Sequence, residues 1–340
     1  MTSFMKDSDE RVLKVAIIGL GKMGLLHASL LNVLPNVKLA ALCDKSGLIR
    51  KVSGRLFRDV QITDDVEQLA GLGLDAVYIT TPIPSHFSIA KTIYSKGIAH
   101  NWFVEKTLAA NYDDAKKMCV LAQVSGGVNM VGYMKRFAVT FKKVKELLDE
   151  EVLGELVSFD AYAYSSDFAD VKKGSASGSR GGVLGDLGSH VVDVALWFFG
   201  DLKVDSAKLK SLSSLSTEDF ASFKVSNSNG LQGQFGISWC KKEFRMPEFG
   251  LVIHGTKGNI RVNDDEVRLE LVNGESCRWY RHDLNDSVGF LLGAPEYFRE
   301  DKHFIESVLN GNDAEPDFST ASKVDFLIDQ AKERAEKDEQ

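Results

Sequence analysis

Three ionisable side chains, Asp186, His190 and Asp193, recur at positions i, i+4 and i+7 of one segment. That spacing places them on one face of a helix, which the sequence predicts from about Val183 to Phe199. The neighbouring residues are mostly apolar, and burying ionisable groups among them is costly unless the groups are paired or take part in function. The segment therefore predicts either a site for acid–base chemistry or a core histidine bonded to a carboxylate one turn away.

A second cluster is rich in glycine. The sequence GLGKMG follows an apolar strand, Lys14–Ile18, and opens a helix, and in this context a GxGxxG pattern indicates a dinucleotide site. The first glycine permits a tight turn, the second lets the backbone approach a pyrophosphate, and the third allows close packing of helix and strand. The N–H groups at the helix N-terminus favour the anion. The predicted cofactor-binding residues of this loop are Gly19, Gly21, Lys22, Met23 and Gly24.

Asp44 ends the next predicted strand and follows Gly24 by 20 residues. A carboxylate at this position binds the ribose hydroxyls of the adenosine and repels a 2′-phosphate. Asp44 therefore predicts NAD(H) as the preferred cofactor, while NADP(H) remains an alternative because Lys45, Arg50 and Lys51 are close in the sequence. The other interpretation of Asp44 is an acid that ends a turn.

The elements around these residues change character along the chain. Up to residue 134, short apolar strands alternate with helical segments, which is typical of βαβ units. From residue 155, alternating strands separated by Gly, Asn and Asp turns predict an open, mostly antiparallel sheet, followed by helices within 295–337. We expect an α/β Rossmann domain with a doubly wound parallel sheet over residues 1–134. An α+β domain for substrate binding and oligomerisation is expected over residues 135–340.

Composition limits the function classes. The length of 340 residues suits two domains, and the net charge of -7 disfavours a nucleic-acid partner, because phosphate neutralisation supplies most such affinity. Four cysteines without a CxxC pair give no zinc-ligand pattern, so no metal site is expected. The N-terminus lacks the apolar core of a signal peptide, and no apolar run approaches the roughly 18 residues of a membrane span. We expect a cytoplasmic protein without a membrane partner.

Further motifs occur in order along the chain. They are TPIPSH at Thr81–His86, EKT at Glu105–Thr107, RF at Arg136–Phe137 and GGVLGDLGSHVVD at Gly181–Asp193. Together with the glycine loop, they resemble motifs of the glucose-fructose oxidoreductase/inositol dehydrogenase (Gfo/Idh/MocA) family. The resemblance implies a nicotinamide-dependent oxidoreductase that oxidises a secondary hydroxyl of a sugar, sugar derivative or cyclitol, or runs the reverse reduction.

The resemblance also implies that Lys106, Asp186 and His190 converge on the substrate as catalytic residues. His190 is the expected general base, because an imidazole titrates near neutral pH. Asp186 is expected to bind a neighbouring substrate hydroxyl, and Lys106 to stabilise the developing alkoxide; which of Lys106 and His190 takes the proton stays open. The further cofactor-binding residues implied are Thr81, Pro82, His86, Glu105 and Lys106, and the substrate contacts implied are Arg136 and Arg180.

Two further residues near these motifs are expected to support the site without taking part in the chemistry. His27, on the first helix, is expected to pack or to support the site, and Asp193 either to support the catalytic helix or to be a plain structural acid. Thr107 stands where the family has a proline that commonly follows a cis peptide bond. A cis bond before a non-proline residue costs about 3–4 kcal/mol, so a trans Lys106–Thr107 bond is expected.

A Ser- and Gly-rich segment, Ser165–Gly182, is predicted to be a mobile substrate loop. Its Lys172, Lys173 and Arg180 either meet a phosphate or carboxylate of the substrate or are solvated. Two other functions remain: an NAD-dependent glycosidase, and a non-catalytic NAD-binding regulator whose second domain binds a protein partner. A regulator has no need of Lys106, Asp186 and His190 together. The resemblance further implies a homo-oligomer, a dimer or tetramer formed through the open sheet, whose apolar face would otherwise be exposed.

Overall fold

The computed structural model describes residues 11–169, 181–212, 217–286 and 295–338, which form two compact units. Unit 1 contains the chain up to Glu105 together with Lys116–Gly132 and Phe298–Phe318. Unit 2 contains Lys106–Ala115, Tyr133–Tyr297 and the residues from Ser319 onward. The chain therefore passes from unit 1 to unit 2 immediately after Glu105, and a segment near the C-terminus belongs to unit 1.

Unit 1 is built on a parallel sheet. Its strands are β1 (Leu13–Ile18), β2 (Val37–Cys43), β3 (Gln61–Thr63), β4 (Ala76–Ile79), β5 (Asn101–Glu105) and β6 (Asn129–Gly132). They pair in the order β3-β2-β1-β4-β5-β6, and every pair is parallel. The first helices are α1 (Lys22–Leu31), α2 (Gly47–Leu56), α3 (His86–Ser95) and α4 (Tyr112–Ser125). The predicted doubly wound parallel sheet is confirmed, although α2, β3 and β6 were not predicted.

The core of unit 1 explains why its strands are continuous apolar runs. All four residues of β4 are buried, as expected for a parallel sheet that is covered on both faces. The rings of Tyr78 and Phe103 stack with centroids 4.5 Å apart, and Phe304 meets both rings edge-on at 5.5 and 5.7 Å. Aromatic side chains from neighbouring strands and from the C-terminal segment therefore close this core.

Unit 2 is built on a larger mixed sheet. Its strands are β7 (Leu156–Tyr164), β8 (Lys203–Lys210), β9 (Phe220–Ser226), β10 (Gln232–Ser238), β11 (Glu248–Gly255), β12 (Gly258–Asn263), β13 (Glu266–Leu271) and β14 (Ser276–Tyr280). They pair in the order β14-β13-β12-β11-β7-β10-β9-β8. Strands β7 and β10 are parallel, and the other pairs are antiparallel. The predicted mostly antiparallel sheet is confirmed.

The later helices are α5 (Val139–Asp149), α6 (Ser189–Phe199), α7 (Pro295–Asn310) and α8 (Phe318–Asp338). A π-helical turn, Leu184–Gly188, leads directly into α6, so the predicted helix from about Val183 to Phe199 is confirmed, with a π-helical geometry in its first turn that was not predicted. Glycines at 185 and 188 weaken the α-helical preference there. None of the helices in the described ranges is long and apolar enough to cross a bilayer.

One face of the unit 2 sheet carries polar side chains. Along β7, Phe159, Ala161 and Ala163 are buried, whereas Asp160 between them is exposed. The residues paired beside Asp160 across the sheet, which share its face, include Gln234, Lys224, Arg261 and Arg268. The expectation of an apolar open face was therefore wrong, because the alternation of the strands directs the apolar side chains to the opposite face.

Candidate active site

The residues predicted to bind a dinucleotide follow the carboxyl ends of the unit 1 strands. The glycine loop follows β1, Asp44 follows β2, Thr81 follows β4, and Glu105 is the last residue of β5. In a parallel sheet these ends lie at one edge, where doubly wound sheets bind their ligands. The structure therefore gathers the sequence-predicted nucleotide residues of unit 1 along one edge.

The glycine loop has the geometry that its sequence predicts. Gly19 has a φ of +96°, which side chains disfavour. A Cβ at Gly24 would lie 1.8 Å from the carbonyl oxygen of Gly19, whereas a Cβ at Gly21 would have no atom within 4 Å. Lys22 and Met23 begin α1, exposed and half-buried respectively. Gly24 is therefore required by packing, and Gly21 leaves open space through which a pyrophosphate can approach the main chain.

Asp44 is bound to the main chain on both sides of its carboxylate. Its Oδ2 accepts a hydrogen bond of 2.6 Å from the N–H of Leu20, and its Oδ1 accepts one of 2.7 Å from Ser46. Arg50 donates to the main-chain carbonyl oxygens of Asp44 and Lys45 and pairs with Asp64. Asp44 thus ties the glycine loop to the segment that follows β2.

The segment after β4 is held by a buried histidine. The Nε2 of His86 lies 2.8 Å from the main-chain oxygen of Thr81, and the ring is fully buried. Pro82 precedes the short 3₁₀ turn Ile83–Ser85, and a Cβ at Gly19 would lie 2.7 Å from the Cγ2 of Thr81. His86 therefore orients the turn that packs against the glycine loop. The donors, the turn and the open space at Gly21 fit an NAD molecule.

The catalytic residues implied by the motifs belong to unit 2. The Nζ of Lys106 donates to Oδ1 of Asp186 at 2.9 Å and to the main-chain oxygen of Asp186 at 2.8 Å. Their side chains are 17% and 24% exposed, so the ion pair is accessible without being fully hydrated. The structure brings these two predicted residues together, with Asp186 on the π-helical turn.

The peptide bond between Lys106 and Thr107 is cis, so the expectation of a trans bond was wrong. Thr107 is buried, and its hydroxyl donates to the main-chain oxygen of Ala109. Lys106 is held on its other side by Asp186. Thr107 is thus held by a local hydrogen bond and Lys106 by a residue 80 positions away, a tertiary contact that the local preference behind the expectation does not include.

His190 lies in a buried aromatic setting. Its ring meets Phe249 edge-on at 5.1 Å and Tyr133 at 6.4 Å, and it is 5% exposed. The buried Nδ1 has no hydrogen-bond partner among the described residues. Burial, with the charges of Lys106 and Lys135, lowers the pKa of His190 well below its ordinary value. The premise that this imidazole titrates near neutral pH was therefore wrong: it is neutral there and ready to accept a proton or a hydrogen bond.

Lys135 is a second cation near His190 that the motif analysis missed. Its Nζ lies 2.5 Å from Oδ1 of Asp264, 3.8 Å from Glu296 and 4.6 Å from the centroid of the Phe249 ring. Phe249 is the ring that packs on His190. The partners of Lys135 are distant in sequence, so no local pattern predicts its position near His190. The sequence shows only that Lys135 precedes Arg136, which belongs to one of the motifs.

Arg136 and Asp193 form a buried bidentate ion pair. The Nε of Arg136 donates to both carboxylate oxygens of Asp193 at 3.1 and 2.8 Å, and its second terminal nitrogen donates at 2.7 Å. Burial raises the pKa of Asp193, and Arg136 opposes the rise. The pair ties the segment entering unit 2 to α6, so we do not propose Arg136 as a substrate contact.

Glu218 holds the start of the segment that carries Asp186 and His190, a contact that the sequence did not indicate. Its main-chain oxygen accepts from the N–H of Val183 at 2.9 Å, and its carboxylate accepts from Leu184 at 3.3 Å. Gly182 has a φ of +93°, which side chains disfavour, and a Cβ there would also lie 2.1 Å from this carboxylate; the backbone conformation explains the need for glycine there. The predicted substrate residues Lys172, Lys173 and Arg180, and most of the Ser165–Gly182 loop, lie outside the described residues.

Comparisons with known proteins agree with this architecture. A family model described as an oxidoreductase family with an NAD-binding Rossmann fold matches residues 13–133, and the GFO/IDH/MocA C-terminal domain matches residues 141–261. The chain is 26% identical over 276 residues to D-apiose dehydrogenase of Paraburkholderia graminis, covering 78% of this chain and 71% of that protein. It is 24% identical over 318 residues to inositol 2-dehydrogenase of Rhizobium meliloti, covering 89% and 91%.

Solved structures match the fold over almost the whole chain. A levoglucosan dehydrogenase in complex with NADH and levoglucosan superimposes with a TM-score of 0.85 at 20% sequence identity, covering 96% of this chain and 98% of that one. An oxidoreductase from Agrobacterium radiobacter, in complex with NAD+, L-tartaric acid and magnesium, gives a TM-score of 0.83 at 21% identity, covering 95% and 96%. At this level of identity the likeness extends to the fold of both units.

Proposed function

Because the chain belongs to the GFO/IDH/MocA family of NAD-binding oxidoreductases, we propose that it oxidises a secondary hydroxyl of a sugar, sugar derivative or cyclitol with NAD+, or runs the reverse reduction. Relatives named as D-apiose and inositol dehydrogenases support this substrate class, since both act on polyhydroxylated molecules.

The observation that carries the proposal is the cluster of Lys106, Asp186 and His190 in unit 2. It combines an accessible lysine–carboxylate pair with a buried neutral imidazole, whose pKa is lowered in part by the charge of the same lysine. Dehydrogenation of an alcohol needs a proton acceptor and a group that stabilises negative charge on the reacting oxygen. The cluster holds both, together with a carboxylate that can accept hydrogen bonds from further hydroxyls.

In the proposed oxidation, the substrate hydroxyl gives its proton to His190, which is neutral and therefore able to accept it. The ammonium of Lys106 stabilises the alkoxide while it develops, and Asp186 holds Lys106 and binds a neighbouring hydroxyl. Lys106 in an uncharged form is the alternative proton acceptor. NAD+, when bound, would supply the hydride acceptor. The hydrogen on the carbinol carbon would leave with its bonding electron pair as hydride, and the product would be a carbonyl compound.

The cofactor residues we propose are those of the unit 1 edge. The glycine loop from Gly19 to Gly24 would bind the pyrophosphate with main-chain N–H groups, and Asp44 the adenosine ribose. The turn at Thr81 and Pro82, oriented by His86, and the end of β5 at Glu105 would border the nicotinamide half. The charge of Asp44 favours NAD(H) over NADP(H), and Arg50 is already engaged with main-chain oxygens and Asp64.

A homo-oligomer remains part of the proposal on the strength of the family resemblance. The open face of the unit 2 sheet offers complementary charges, with Asp160 on β7 and basic residues on β9, β12 and β13, together with the stacked rings of Tyr162 and Tyr164. Light scattering should give a mass well above the 37.5 kDa of one chain. A mass near that value at micromolar concentration would contradict the oligomer.

The test of the function is a panel of aldoses, uronates, anhydrosugars and cyclitols, each incubated with NAD+ and followed by NADH absorbance. We expect NADH formation with at least one compound and a ketone or lactone product. Glycoside cleavage without net NADH would favour a glycosidase instead. NADH binding without turnover of any compound would favour a regulator.

A further inference from the structure

His27 forms a buried ionic group in unit 1 that the proposed mechanism does not use. Its Nδ1 lies 2.8 Å from Oδ1 of Asp301, and its Nε2 lies 3.0 Å from Oε1 of Glu105. The exposed fractions of the three residues are 0%, 0% and 6%. The group joins α1, α7 and the last residue of β5, three elements that are far apart in sequence.

The chemistry of the three side chains fixes the state of the imidazole. An ionised carboxylate only accepts hydrogen bonds, so between two ionised carboxylates both ring nitrogens donate, which requires an imidazolium. Burial raises the pKa of Asp301, and the charge of His27 opposes the rise. Burial alone would lower the pKa of His27, but Asp301 and Glu105 outweigh burial and raise it well above the ordinary value. Among the described residues, further titratable side chains near the group include Tyr78, whose ring lies 5.6 Å from that of His27, and Glu300.

We propose that His27 is a positioning residue for the reaction: as an imidazolium bound to Asp301, it holds the Glu105 carboxylate and so fixes the carboxyl end of β5, from which the chain continues into Lys106. The same residue belongs to the helix that begins at the glycine loop. One buried cation thus fixes the position of the end of β5, which Lys106 follows, relative to α1, whose N-terminus is expected to bind the pyrophosphate. Packing alone would not need a charge at this position.

Two substitutions separate the two hydrogen bonds of His27. In His27→Asn the amide nitrogen takes the position of Nδ1, so the bond to Asp301 survives and the bond to Glu105 is lost. In His27→Gln the amide nitrogen reaches the position of Nε2, so the bond to Glu105 survives. The exposed His100, also in unit 1, provides a control as His100→Gln.

This inference rests on the proposed function, and its kinetic test uses a substrate found in the panel. We expect kcat of His27→Asn to fall by roughly tenfold or more, because small misplacements of reacting groups cost up to about 10²-fold. His27→Gln should keep most of the wild-type kcat, and so should the His100 control. In a Glu105→Leu background, His27→Asn and His27→Gln should have the same kcat. Equal kcat for the two His27 variants in the wild-type background would overturn the proposal.

A second measurement needs no substrate. In apo protein with ¹⁵N-labelled histidine, His27 should show two protonated ring nitrogens at pH ~7.5, about one unit above the ordinary histidine pKa of ~6.5. A neutral His27 ring at that pH would overturn the proposal even if the enzyme is active. If the wild type turns over no compound, the proposed function fails, and the ring signal still decides the state of His27.

Discussion

The ammonium nitrogen of Lys106 lies 2.9 Å from the carboxylate of Asp186 and 2.8 Å from the main-chain oxygen of the same residue. The second bond is independent of the charge on Asp186 and ties the lysine to the π-helical turn that carries this residue. A lysine held at two points loses less conformational entropy when a substrate binds. In the proposed mechanism, the pair is therefore preorganised for an oxygen that gains negative charge during the reaction.

The first prediction concerns pH. A neutral His190 accepts the proton, so kcat/KM should rise with pH through the pKa of His190 and reach its plateau below pH ~6.5, the ordinary histidine pKa. The charge of Lys135 contributes to the lowered pKa. Lys135→Gln, which keeps an amide donor for Asp264, should therefore move the acid limb to higher pH. A limb that stays in place in this variant would show that Lys135 does not influence the base.

The second prediction concerns the buried pair of Arg136 and Asp193. Arg136→Met or Asp193→Leu leaves one buried charge without its partner, which costs about 3–5 kcal/mol of unfolding free energy. The double variant removes both charges, so it should be clearly more stable than either single variant. Urea unfolding measures all four proteins, and additive losses in the double variant would contradict a direct ionic interaction.

The third prediction separates two glycines of one loop. Gly21→Ala should fold normally because a Cβ there has no atom within 4 Å, but it should lose NADH affinity because the methyl group occupies the approach of the pyrophosphate. Gly24→Ala should lower the melting temperature, because its Cβ would lie 1.8 Å from a carbonyl oxygen. Thermal unfolding gives the melting temperature of each variant, and NADH fluorescence gives its affinity for NADH. Wild-type NADH affinity in Gly21→Ala would argue against the pyrophosphate site.

The fourth prediction concerns cofactor choice. Wild type should bind NADH more tightly than NADPH, and Asp44→Asn should gain NADPH affinity by about tenfold or more, because like charges in a binding site cost several kcal/mol. The same variant should bind NADH somewhat more weakly, because one carboxylate oxygen that accepts from the main-chain N–H of Leu20 or Ser46 is lost. Tighter NADPH binding by the wild type would refute the assignment of Asp44.

The residues that the sequence predicted correctly are those with a local signal. The parallel strands are continuous apolar runs, and the glycine loop combines a motif with a strand before it and a helix after it, so β1, α1 and the turn at Gly19 could be placed without the structure. The pairing of Lys106 with Asp186 came from motifs of the family. The spacing of Asp186, His190 and Asp193 alone did not distinguish a catalytic site from a core histidine bonded to a carboxylate.

The residues that the sequence missed depend on contacts between distant segments. His27 and Asp301 are 274 positions apart, and Lys135 and Asp264 are 129 apart, so no periodicity links them. The pKa of His190 was misjudged for the same reason, because burial and two distant lysines set it. The cis bond after Lys106 was missed as well, because Lys106 is held by Asp186, 80 positions away in the sequence.

The central claim is that unit 2 carries the proton-transfer site, and the turnover number of His190→Ala tests it most directly. General acid–base groups contribute about 10²–10⁴-fold, so kcat should fall by that amount, at a temperature where thermal unfolding shows that the variant is folded, while the dissociation constant for NADH stays close to wild type. His282→Ala, a histidine whose side chain is 80% exposed, is the matched control and should have wild-type kcat. A kcat of His190→Ala equal to that of the control would contradict the account and leave His190 as a packed core residue.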